Sequence, residues 1–145
     1  MAQYSKILMA VDLSDDSDMV AERANAIAGN NGAEVHVIHV IEPLSFAYGG
    51  DIPMDFSGIQ DEIHQQAVQQ LDRFAERHGI GDGHRHVVLG QPEVEIHALA
   101  EETGADLIVV GSHGRYGLAL LMGSTANGVL HGAGCDVLAV RVGKH

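Results

Sequence analysis

Leu107-Ile-Val-Val-Gly111-Ser-His-Gly-Arg-Tyr-Gly-Leu-Ala-Leu-Leu-Met-Gly-Ser-Thr125 is the stretch that decides the fold. Its first four residues, Leu107 to Val110, form a short unbroken apolar run, as in a strand covered on both faces. Glycines at 111, 114, 117 and 123 follow, and a helical run ending near Ala133 comes next. A strand, a glycine loop and a helix start suit an anion. The glycines let the backbone approach it closely, and Ser124 and Thr125 offer hydroxyls and amides at the helix N-terminus. His113 and Arg115 lie inside the loop, and no acidic residue interrupts it. The plainer reading, in which the glycines only turn the chain and Ser124 only caps the helix, needs no ligand.

The rest of the chain repeats that alternation. Apolar runs at 6–11, 34–40, 85–89, 107–110 and 136–142 read as strands. Between them, Val20, Ala24, Ile27 and Ala28 recur at helical spacing and stop at Asn30-Asn31-Gly32. Ile59, Ile63, Ala67, Leu71 and Ala75 predict a second helix ending at Gly79. Pro92 opens a third with Ile96, Leu99, Ala100 and Thr103 on one face, and Ala126, Val129, Leu130 and Ala133 mark a fourth. Right-handed crossovers then give a single doubly wound α/β domain over residues 1–145. Its five-stranded parallel sheet, in order 3-2-1-4-5, has helices on both faces. That order brings Asp12, Val40 and Gly111 to one crevice beyond the carboxyl ends of the strands. Segment 42–58, with Pro43, Tyr48, Gly49, Gly50, Pro53 and Met54, is too broken for an element and reads as a flap or interface loop.

Composition narrows the function. In 145 residues there are 20 acidic and 8 basic side chains, a net charge of −12, which argues against nucleic-acid binding or an anionic membrane. A phosphate site must then be a local exception built from amides, a helix N-terminus and Arg115. One cysteine, Cys135, excludes an internal disulfide, and no apolar run approaches a membrane span or a signal peptide, so a cytoplasmic protein is expected. The acidic balance is also compatible with a salty cytoplasm.

Several chemistries lack their residues. Lys6 and Lys144 are the only lysines, which rules out a P-loop lysine, and Leu13-Ser14-Asp15-Asp16 replaces a G-x-G-x-x-G after the first strand. There is no G-x-S-x-G. Asp12 is placed to hold a ribose, an adenine or Mg²⁺, or simply to cap the turn with Ser14. Of ten histidines, His36 and His39 should point to opposite sheet faces. His84 and His86 share a face but have only Asp82 as a nearby carboxylate, so no metal site is expected. Cys135 reads as a small buried hydrophobe.

Lys6-Ile-Leu-Met-Ala-Val-Asp-Leu-Ser14, Val37-Ile-His-Val40, Ile108-Val-Val-Gly-Ser-His-Gly-Arg115 and Cys135-Asp-Val-Leu-Ala-Val140 closely resemble the universal stress protein family, in order and over essentially the whole chain. The resemblance implies a homodimer paired through the last strand, Asp136 to Val142. It also implies a bound adenine nucleotide, ATP or a relative, with or without Mg²⁺. Phosphate contacts then fall on Gly111, Gly114, Gly123, Ser124 and Thr125, and nucleoside contacts on Asp12 and Val40, while His113 and Arg115 join the candidate site from their place inside the loop. Two departures leave the alternatives open. The G-x2-G-x9-G-S/T signature of the nucleotide-binding branch is one residue short here, with eight residues from Arg115 to Met122. The first-strand loop and the insert from Tyr48 resemble the A branch, whose prototype is associated with not binding ATP, although that branch has generally lost the loop glycines. The expectation is a nucleotide sensor of the stress response without efficient turnover. The alternatives are an interaction module with a vestigial crevice and, third, a slow ATPase or autokinase.

Overall fold

Residues 4–43, 57–111 and 134–141 are described by the computed structural model. Strands β1 (Lys6–Ala10), β2 (Glu34–Ile41), β3 (Arg85–Leu89), β4 (Leu107–Gly111) and β5 (Asp136–Val140) form one sheet in the order β3-β2-β1-β4-β5, and every pairing is parallel. The expected order therefore holds, and the boundaries agree to within two residues. The fourth expected helix lies outside the described residues.

Among the described residues, three α-helices connect the strands. Helices α1 (Ser17–Asn31) and α2 (Ser57–Arg77) cover one face, and α3 (Pro92–Thr103) covers the other. Because side chains alternate along a strand, each face has its own core. Ile7, Met9, Val11, Val37, Leu107 and Val109 pack with Val20, Ala24, Leu71 and Phe74. On the opposite face Leu8, Ala10, Ile38, Val40, Ile108 and Val110 pack with Ile96, Leu99 and Ala100. The central strands β1 and β4 are buried along almost their whole length, which is why they read as unbroken apolar runs.

Helix ends follow the sequence signals. Gly32 at φ 66° and Gly104 at φ 76° take the left-handed conformation that closes α1 and α3, one that a side chain would resist. Pro92 occupies the first turn of α3, where its missing N–H costs no helical bond. Ile59, in the first turn of α2, is 51% exposed. The 21 residues of α2 span about 31 Å, whereas the eight of β2 span about 26 Å. The first turn of α2 therefore overhangs the sheet.

Candidate functional site

The winding direction reverses between β1 and β4, which are adjacent although separated in sequence by three crossovers. Open parallel sheets hold ligands beyond the carboxyl ends of such strands. Asp12 follows β1, Val40 lies near the end of β2 and Gly111 ends β4, so three of the expected site residues share one edge. His113, Gly114, Arg115, Gly123, Ser124 and Thr125 lie outside the described residues.

The turn after β1 is the best-built part of this edge. Asp12 Oδ1 accepts the Ser14 backbone N–H at 3.0 Å and the Ser17 hydroxyl at 3.2 Å. The first bond is an Asx turn; the second ties the turn to the first residue of α1, where Ser17 is 4% exposed. Between them Leu13 sits at φ 63° and is the sole non-glycine residue with positive φ among the described residues. A leucine held there stores strain of a kind that clusters at ligand-binding turns.

His39 supports the turn from behind. Its Nδ1 lies 2.9 Å from the Val11 carbonyl oxygen; because a carbonyl can only accept, Nδ1 carries the proton. The Val11 N–H donates to the Ile38 carbonyl at 3.0 Å, extending the β1–β2 ladder to the threshold of Asp12. His39 is 8% exposed and on the face opposite His36, as alternation predicts. Its positioning role was not visible in sequence.

Leu13 and Ser14 line a shallow cavity with Gln70, Arg73, Phe74 and Arg77 of α2, which brings two guanidinium groups to the rim of the β1 turn. Arg77 pairs with Asp18 at 2.9 Å. His78 and then Arg77 hydrogen-bond to Asp18 and hold its carboxyl below the usual range. Burial, followed by the charges of Asp136 and Asp106, pushes the Cys135 thiol up, so it stays protonated at neutral pH and is a poor nucleophile.

The histidine expectation needs correction at the other end of the sheet. Glu34, not Asp82, is the carboxylate partner. Its Oε2 lies 3.0 Å from His36 Nε2 and 3.9 Å from His84 Nε2, while Asp82 pairs with Arg85. Glu34 and His36 share a face by alternation along β2, whereas the approach of His84 depends on the register of β2 against β3.

Comparison with known proteins agrees with the architecture. The family model described as the universal stress protein family matches residues 3–141. Universal stress protein A homolog 2 of Coxiella burnetii is 41% identical, over 98% of this chain and 98% of that one. Among solved structures, hypothetical protein MJ0577 superimposes with a TM-score of 0.78 at 24% identity, covering 99% of this chain and all of that one, a likeness of fold. A universal stress protein solved in complex with cAMP superimposes with a TM-score of 0.62 at 27% identity, covering 95% and 97% of the two chains.

Proposed function

The chain belongs to the universal stress protein family, and from that membership we propose that it is a stress-response regulator whose signal is occupancy of the crevice by an adenine nucleotide, ATP or a relative. The observation that carries this reading is the common edge of Asp12, Val40 and Gly111 at the reversal between β1 and β4. The strained Leu13 turn supports it, as does cAMP in a relative of the same fold. In this reading Asp12 and Val40 face the nucleoside. Gly111, His113, Gly114, Arg115, Gly123, Ser124 and Thr125 take the phosphates, with Mg²⁺ as a further counter-charge.

The same reading gives binding without fast chemistry. Phosphoryl transfer needs charge neutralisation around the γ-phosphate and an oriented nucleophile. Here the sequence offers arginines and backbone amides but no lysine in the loop. The edge strand β5 hydrogen-bonds only to β4 among the described residues, and its Val137, Leu138 and Ala139 are half-buried. Pairing with a second copy through this edge, over Asp136 to Val142, covers an otherwise open ladder and makes a homodimer. No helix among the described residues is long and apolar enough to cross a membrane, in keeping with a cytoplasmic place of action.

Mass spectrometry of small molecules released from freshly purified protein tests the proposal. An adenine nucleotide near one equivalent per chain supports it. Protein that carries none, and that takes up none on incubation with ATP or cAMP, favours the interaction module with a vestigial crevice.

A further inference from the structure

The amino ends of β2 and β3 gather three histidines and a glutamate about 20 Å from the nucleotide edge, six residues of strand away. Pairing of Val37 with Arg85 sets His84 beside His36, and Ile38 faces His86. Glu34, two residues before His36, falls on the same face. His36 is 9% exposed. Its ring stacks on that of His84 with centroids 4.1 Å apart, and on that of His86 at 5.4 Å.

We propose that Glu34, His36 and His84 form a binding site for a divalent ion of the zinc type. Two imidazoles and a carboxylate are a donor set suited to such an ion, with the fourth position left to water. Metal–ligand bonds of about 2.0–2.1 Å at tetrahedral angles set donor atoms roughly 3.3 Å apart. The separations of Glu34 Oε2 from the two Nε2 atoms, 3.0 and 3.9 Å, bracket that value, and all three donor atoms lie within 4.8 Å of one another.

The surrounding bonds already orient the ligands. His84 Nδ1 donates to the Val35 carbonyl at 3.0 Å, which leaves the Nε2 lone pair as the one available to an ion. His36 Nδ1 lies 3.1 Å from His86 Nε2. For His36 Nε2 to turn from the Glu34 carboxylate to an ion, His36 carries its proton on Nδ1 and donates it in a hydrogen bond to His86 Nε2, while His86 carries its own proton on Nδ1, so both tautomers invert by exchange with solvent. Closing around the ion requires the two stacked rings, 25° from parallel, to splay. His84 has the more exposed side chain of the two, 36% against 11%, and it can tilt about its hydrogen bond to Val35. An ion here would join Glu34 at the start of β2 to the turn that leads into β3.

Titration calorimetry of the full chain with ZnCl₂ provides the test, with Co²⁺ as an absorbing probe. The expected result is one saturable ion per chain and a tetrahedral Co²⁺ spectrum. His84→Gln and Glu34→Gln each remove a direct ligand. Each should weaken binding by more than the roughly 10–100-fold that follows loss of an orienting partner, and His84→Gln should abolish the Co²⁺ spectrum. Absence of Zn²⁺ binding by the wild-type chain would overturn the assignment. So would wild-type affinity in both variants, shown folded by circular dichroism, because the ion would then sit on other histidines.

Discussion

Asp12 stands in two roles, builder of the β1 turn and contact for the nucleoside, and two substitutions separate them. Asp12→Ala removes the acceptor of two hydrogen bonds. Ser14 is exposed, so water replaces its lost partner at a cost near the lower end of about 0.5–1.5 kcal/mol. Ser17 is 4% exposed, and a buried hydroxyl left without an acceptor costs about 1–3 kcal/mol. Together these give a loss of about 2–3 kcal/mol, or a fall in Tm of roughly 8–12 °C for a domain of this size. Asp12→Asn keeps an acceptor oxygen in the same place and loses only the charge, about 1 kcal/mol. Differential scanning calorimetry should rank the proteins wild type, Asn variant, Ala variant. ATP titration should show that the Asn variant, though folded, has lost about tenfold in affinity, since 1.4 kcal/mol corresponds to a factor of ten. Wild-type affinity in Asp12→Asn would reduce Asp12 to a cap, and an unchanged Tm in Asp12→Ala would refute the reasoning about Ser17.

Asp106 should supply acid-sensitive stability. Burial pushes its carboxyl up, but hydrogen bonds from the Ser5 and Lys6 amides and the Ser5 hydroxyl outweigh this and hold it below the usual range. Its contribution is therefore complete above the unfolded carboxylate value of about 3.9 and disappears as pH falls through the lower folded value. Thermal melts should show Asp106→Asn less stable than wild type at pH 7, with the gap closing below about pH 4. At the β5 edge, sedimentation equilibrium should give twice the monomer mass for the wild type and monomers for Ala139→Pro, which removes a backbone N–H; a variant that remained dimeric would move the interface elsewhere.

The architecture was legible because it is written in contiguous residues. β1 and β4 lie in the centre of a parallel sheet, so Ile7 to Ala10 and Leu107 to Val110 must all be apolar, and right-handed crossovers leave little freedom in strand order. Features that depend on register or on an unusual backbone were not legible. Nothing about a leucine announces φ 63° at position 13. His39 as a prop for Val11 and Glu34 as a neighbour of His84 arise from the offset between neighbouring strands. Alternation along β2 predicted correctly that His36 and His39 diverge, yet the same rule places Glu34 with His36, and that sequence signal was missed. The period that begins at Ile59 marked α2 correctly, although Ile59 itself stays exposed, because periodicity reports a face and not how deeply each turn of it is buried.

Titration of nucleotide-free protein with ATP and, separately, with cAMP tests the central claim most directly. Saturable binding of at least one of them, one per chain, is expected. So is loss of that binding in a folded Gly114→Val variant, since a β-branched side chain in the glycine loop would obstruct backbone approach to phosphate. No heat and no retention in equilibrium dialysis with either nucleotide, at millimolar concentration and with Mg²⁺ present, would contradict it.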